Sequence, residues 1–244
     1  MTVKHSLQRL RSPSRGLSLT LHILGLASFY QSFRYLYIFP TPISSAYGGS
    51  GQFLTIIGLG LSMIAFGLGF LADVTLSPAL FKAKNFVAVC ANPLEVLISI
   101  LYWGIAIYDK ELLMPSEYSL PWAVDIGYHA APAIFLTIDL LFFSPPWTVK
   151  ANGAVGLSMV LAFLYWGWIE HCAGHNGWYP YPILGILSTP QRAVFFAFCA
   201  ALEASSTMAL KWLYGKLMGS KSSSGRPSSL LRCNGVNADI HRRQ

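Results

Sequence analysis

The sequence predicts an all-α, polytopic membrane protein with six transmembrane helices. Three observations carry the prediction. Only 11% of the 244 residues are charged and 54% are hydrophobic, whereas a soluble domain carries about 25% charged residues. Several apolar runs approach the roughly 20 residues that cross a hydrocarbon core of about 30 Å, and the mean hydropathy is +0.49. The net charge of +7 gathers at the two ends. Lys4, Arg9, Arg11 and Arg15 precede the first apolar run, and Lys216, Lys221, Arg226, Arg232, Arg242 and Arg243 follow the last. This placement fits membrane topology and attraction to anionic lipid headgroups. Nucleic-acid binding would need those charges on one folded face, so no nucleic-acid partner is expected; membrane lipids are.

Taken in order, the spans are expected over 17–38, 53–75, 86–108, 122–143, 153–171 and 193–215. The first, preceded by basic residues, imitates a secretory signal. It runs too long and lacks a small-x-small cleavage site, so it reads as an uncleaved anchor. The intervening stretches hold the breakers: "FPTPISSAYGGSG", "SPALFKAKN", "DKELLMPSEYSLP" and "SPPWTVKANG". Between spans five and six, "HNGWYPYPILGILSTP" is aromatic but interrupted by Pro180, Pro182 and Pro190. An interfacial or re-entrant segment fits, with Trp178, Tyr179 and Tyr181 at headgroup level. The chain thus divides into a basic N-terminus (1–16), a membrane domain (17–218) and a basic, disordered tail (219–244) rich in Ser and Gly. Lys82, Lys84 and Lys150 in short loops side with the basic termini, which orients both termini to the cytosol and loops 39–52, 109–121 and 172–192 to the lumen or exterior. The endoplasmic reticulum or another endomembrane is the expected location, with the plasma membrane as the alternative.

Ionisable groups within apolar spans are costly and each needs a reason. Arg34, Thr55, Asp125, His129, Glu170 and His171 share a depth near the lumenal face, while Glu95 and Glu203 lie deeper. Thr55, in the first turn of span two, reads by position chiefly as a helix cap or a back-bonded hydroxyl; a nucleophile beside glycine-exposed N–H groups is the lesser reading. His129 reads as a hydrogen-bonded structural histidine or as a proton acceptor. Asp125, four residues earlier on the same helix face, either orients that imidazole or sits as a solvated end-of-helix charge, the latter being favoured. His171 and His175 have metal-ligand spacing, but two histidines do not fill a site. Cys90, Cys172, Cys199 and Cys233 show no paired spacing and form neither a disulfide framework nor a zinc site.

Four stretches resemble the androgen-induced protein family of six-span membrane hydrolases: "YGGSGQFLT" (47–55), "YWGIAIYDKELLMP" (102–115), "GYHAAP" (127–132) and "WGWIEHCAGHNGWYPYPIL" (166–184). The resemblance implies hydrolysis of fatty-acid esters of hydroxy fatty acids, with Thr55 as nucleophile and His129 as base. Asp125, Glu170, His171 and Arg34 are the supporting candidates, no metal or organic cofactor is needed, and the lipid ester would enter from the bilayer. Oxyanion donors are expected from backbone N–H groups at the start of span two, with Arg34 as a second choice. Two rival readings stand beside the hydrolase. One is a transporter or channel with Glu95, Asp125, His129 and Glu203 along a polar pathway; the other is a non-enzymatic lipid-binding scaffold.

Overall fold

The computed structural model describes residues 7–8, 15–115, 118 and 120–219. Nearly all of the expected basic N-terminus, and the tail beyond Gly219 with Cys233, lie outside the described residues. Within them the structure is helical throughout: α1 (Leu17–Ile38), α2 (Leu54–Thr75), α3 (Pro78–Asp109), α4 (Trp122–His129), α5 (Ala131–Phe143), α6 (Ala151–Asn176), α7 (Pro182–Ile186) and α8 (Thr189–Gly219), with short 3-10 turns between.

The first two apolar runs form the expected helices, and the connection after the second does not form the expected loop. "SPALFKAKN" is not a loop but the opening of α3. Ser77 is its N-cap, accepting the Leu80 N–H, and Pro78 occupies the first turn, where its missing N–H is no loss. Leu76 in the left-handed region (φ 57°) turns the chain from α2 into α3. Lys84 therefore rides on a helix and is buried to 1% exposure, which removes it from the solvated lysines used to orient the chain. Span four is likewise two pieces. Pro132 lies in the first turn of α5, where continuing α4 would force its ring against a preceding carbonyl. α4 and α5 consequently meet at 43° around Ala130.

α3 lies at the centre, against α2, α5 and α8; α1 packs on α2, α4 and α5, and α6 on α8. Phe29, Leu59, Phe66 and Leu136 form the fully buried core of the α1–α2–α5 side. Gly25 is required there, because a Cβ would come within 2.4 Å of the Phe66 ring. Four helices (α2, α3, α6 and α8) are long and apolar enough to cross a membrane, or five if α4 and α5 are one bent span. α1 has the length, 22 residues, but His22, Gln31 and Arg34 dilute its apolar character.

Candidate active site

A cavity of about 340 Å³ lies among α2, α3, α6 and α8, within the ~300–1,000 Å³ usual for small-molecule sites. Thr55 lines one end with Tyr102, Tyr165, Trp168 and Tyr181. How Thr55 arrives there follows from the glycine-rich stretch before it. Gly48 (φ 84°) and Gly49 (φ 51°) take left-handed backbone, and a Cβ on Gly48 would come within 2.7 Å of Cys172 Sγ. The chain can thus lie flat on α6. It is then tied down: Asn176 bonds both backbone groups of Tyr47, Trp168 Nε1 donates to Gly51 O at 2.9 Å, and Tyr165 OH donates to Gln52 O at 2.8 Å. Thr55 is the second residue of α2, whose N-cap is Phe53 with no side-chain cap bond. The hydroxyl is therefore not the cap of this helix.

The N–H groups at the start of α2 are mostly occupied. Those of Ile56 and Ile57 donate to Phe53 O. That of Leu54 donates to Tyr165 OH at 3.1 Å and Tyr181 OH at 3.0 Å. Tyr165 spends its own proton on Gln52, whereas the Tyr181 hydroxyl is within hydrogen-bonding reach of the Thr55 side chain and N–H. Burial pushes the Tyr181 phenol above its ordinary range, so it stays protonated and able to donate. The sequence places Tyr181 at headgroup level; in the structure the segment around α7 folds back and turns this side chain into the cavity. Nothing in a local pattern announces that, beyond an aromatic run too short to span.

His129 ends α4 at the break before α5. Its carbonyl, freed by the break, accepts from Ser99 Oγ at 2.6 Å. Its Nδ1 faces Asp125 Oδ1 at 2.9 Å, and among the described residues this nitrogen alone is engaged. Asp125 is 4% exposed, not a solvated helix-end charge, and Lys110 Nζ reaches its other oxygen at 3.3 Å. The Tyr102 ring stacks flat on the imidazole, centroids 3.4 Å apart and planes 2° apart. Tyr102 lines the cavity, as Thr55 does, and His129 lies behind that tyrosine, outside the lining. No hydrogen bond joins Thr55 to His129.

The remaining candidates go elsewhere. Arg34 is exposed on α1 and bonds Gln31 at 3.4 Å. Glu170 accepts from Trp166, Tyr179 and Arg192, all at 2.7–2.8 Å. Arg192 also holds Leu184 O and Leu187 O, so the pair pins α7 to the bundle. His171 bonds Tyr47 OH at 3.0 Å and meets His175 edge-on in an exposed aromatic cluster. Among the described residues no group of three or more His, Cys, Asp or Glu side chains is arranged so that it could hold a metal ion. Glu95 accepts from Ser62 at 3.1 Å, and Glu203 lines the far end of the cavity. Cys90, Cys172 and Cys199 are free thiols.

A second polar cluster, which the sequence reading passes over, sits about 27 Å from Thr55 along α2. Asp73 accepts from Ser18 at 2.8 Å and faces His22 Nδ1 at 2.8 Å; Asp139 faces His22 Nε2 at 3.2 Å and receives Lys84 at 2.6 Å. Ser144 closes it, bonding both Lys84 and Asp139. The signal was present: His22, Asp73 and Asp139 all lie inside expected spans, where an ionisable side chain demands a partner.

Comparison with known proteins places the chain. The FAR-17a/AIG1-like protein family matches over residues 17–215. A UPF0641 membrane protein of Schizosaccharomyces pombe is 32% identical over 206 residues, 83% of this chain and 92% of the relative. The human androgen-induced gene 1 protein is 24% identical over 71% of this chain and 76% of its own. The androgen-dependent TFPI-regulating protein of Mesocricetus auratus is 24% identical over 65% of this chain and 72% of its own. No solved structure matches. The chain, a helical membrane protein, belongs to the FAR-17a/AIG1-like family.

Proposed function

We propose that this protein hydrolyses lipid esters, specifically fatty-acid esters of hydroxy fatty acids, with Thr55 as nucleophile and His129 as base. One observation carries the reading: a threonine hydroxyl with no capping duty opens on an apolar cavity beside a tyrosine stacked on a carboxylate-held imidazole. With Nδ1 held by Asp125, Nε2 is the nitrogen left to accept a proton, the division of labour that orients a catalytic histidine. A threonine hydroxyl needs such a base to attack at neutral pH.

The ester's acyl chain lies in the cavity with its carbonyl at Thr55. His129 takes the hydroxyl proton as Thr55 Oγ1 adds to the carbonyl carbon. The oxyanion is met by the Tyr181 O–H, in place of the backbone groups already spent on Phe53 and the two tyrosines. Collapse breaks the ester C–O bond, the departing alkoxide takes the proton from His129, and an acyl-threonine remains. Water, deprotonated by the same histidine, adds to that acyl group and releases the fatty acid. Asp125 and Lys110 hold the imidazole's far side; Glu170 acts through the placement of α7, and with it Tyr181.

The same reading takes α1 as a sixth span, both termini as cytosolic and the site as lumenal in an endomembrane. Of the four residues of the transporter alternative, Asp125 and His129 are bonded to each other and Asp125 to Lys110, which speaks against a continuous polar pathway; Glu95 accepts from Ser62 and Glu203 lines the cavity. The test is release of free fatty acid by protein purified into nanodiscs, wild type against Thr55→Ala. The expected result is loss of at least about 10³-fold at unchanged thermal stability. A well-folded Thr55→Ala protein with near wild-type turnover would overturn the reading.

A further inference from the structure

The cavity is polar at its two ends and apolar between. Its inner end is closed by Leu94, Leu161, Cys199 and Glu203. Glu203 is 3% exposed. Its backbone carbonyl accepts from Thr207, but among the described residues its carboxyl has no hydrogen-bond partner, and Cys90 and Cys199 are its titratable neighbours. This contrasts with Asp73, Asp125, Asp139 and Glu170, each of which is bonded by at least two side chains. A carboxyl with no protein partner, buried except where it meets the cavity, leaves its hydrogen-bonding capacity to whatever fills that cavity. A ligand there supplies the missing bond.

The chemistry of that ligand group is constrained. It must pass an apolar lining, which penalises an ammonium far more than a neutral hydroxyl. A hydroxyl both donates and accepts, so it satisfies the carboxyl in either protonation state. One well-placed polar contact within an otherwise apolar cavity is the usual source of ligand register. Position follows from helix geometry. Phe195 to Glu203 on α8 and Ile105 to Leu94 on α3 are eight and eleven residues of cavity wall, about 12 and 16 Å at 1.5 Å per residue. An extended chain advances about 1.2 Å per bond, a third of the ~3.5 Å span of a three-bond residue. The far group therefore lies roughly ten to thirteen carbons from the reacting carbonyl.

We infer that Glu203 is a specificity-determining residue: it hydrogen-bonds a hydroxyl near carbon 12 of the acyl chain in the cavity, so that the protein selects mid-chain hydroxylated acyl groups over plain ones. The inference rests on the hydrolase reading for its orientation, carbonyl at Thr55 and chain toward Glu203.

Two measurements test it. The first compares kcat/KM for matched esters of stearic, 3-hydroxystearic and 12-hydroxystearic acid. Wild type favours the 12-hydroxy ester over both others by about 5–10-fold, the worth of one hydrogen bond in such a site. Glu203→Gln, which keeps a donor and an acceptor, retains a preference; Glu203→Leu brings the ratio to one or below. A wild-type ratio near one for 12-hydroxy against plain ester overturns the inference whether or not the variants fold. So does an equal preference for the 3-hydroxy ester, or a ratio that survives in a folded Glu203→Leu protein. The second is equilibrium binding of methyl stearate and methyl 12-hydroxystearate to the Thr55→Ala protein in nanodiscs, read by displacement of a fluorescent fatty acid. Tighter binding of the hydroxylated ester, lost with Glu203→Leu added, supports the role of Glu203 even if the catalytic assignment fails. Equal binding of the two overturns it while leaving the assignment of Thr55 intact.

Discussion

Two buried histidines stand at opposite ends of the helix bundle, and their surroundings differ in one respect. His22 has both ring nitrogens taken, Nδ1 by Asp73 and Nε2 by Asp139; Ser18 shares Asp73 Oδ2 with it, Lys84 and Ser144 take Asp139 Oδ2, and of the four carboxylate oxygens only Asp73 Oδ1 has no partner. His129 has only Nδ1 taken, and the tyrosine stacked upon it walls a cavity. Both sites contain a histidine, carboxylate and lysine, so composition does not separate them. What separates them is saturation. A network whose donors and acceptors are spent on each other ties α1, α2, α3 and α5 together. The other leaves the second nitrogen of His129 unbonded among the described residues, behind a tyrosine that walls a cavity, and on the proposed reading that nitrogen serves a reaction.

That contrast is sharpest if the ends are broken separately. Replacing His129 by Ala should lower ester hydrolysis by about 10³-fold or more per folded molecule, with a stability loss limited by the Lys110 bond that Asp125 keeps. The Thr55→Ala/His129→Ala double variant should be scarcely worse than either single one, because the two act as a unit; additive losses would separate their roles. At the other end Lys84→Met strands Asp139, which keeps only His22 and Ser144, and should destabilise the fold by about 3–5 kcal/mol. Lys84→Met/Asp139→Leu should recover part of that stability, as replacement of both buried partners commonly does. A thermal-melt series on nanodisc-embedded protein reads both, and full activity per folded molecule is expected throughout. If Lys84→Met instead removes activity at unchanged stability, the two ends are not functionally distinct.

Tyr181→Phe is the next smaller test. It removes the proposed oxyanion donor and keeps the ring, so kcat should fall about 10²-fold with KM little changed. The smallest effect is that of pH. A neutral histidine base makes turnover fall as pH drops through its titration range, with a reference near 6.5. On the alkaline side the rate should stay level to about pH 10, because burial raises Tyr181 above the ordinary tyrosine value and keeps its proton in place. A rate flat across the acid range would count against His129, and an alkaline decline near pH 8 against Tyr181.

Which parts of this were legible in sequence follows from the range of the interactions involved. The helical architecture was, because a run such as 17–38 carries its own signal. The Asp125–His129 bond was foreseeable from its four-residue spacing on one helix face, although the burial of Asp125 was not, since Lys110 and Tyr102 come from another helix. Lys84 was misread as a solvated loop residue: its partner Asp139 is 55 residues away, and nothing local reveals that a buried carboxylate awaits it. The break at Ala130 was written in Pro132 and went unused. Tyr181 was illegible for a different reason, since its position depends on Glu170 and Arg192 folding α7 back. The glycines before Thr55 read as an exposed N–H surface; what the fold requires of Gly48 is close approach to Cys172 and Trp168.

Whether Thr55 is the nucleophile is read out by covalent capture. Purified protein treated with a lipid-chain fluorophosphonate, digested and mapped by mass spectrometry should carry the adduct on the peptide containing Thr55, and His129→Ala should slow its formation at least about 100-fold. An adduct on another residue with Thr55 unmodified, or labelling that persists undiminished in Thr55→Ala, would contradict the account.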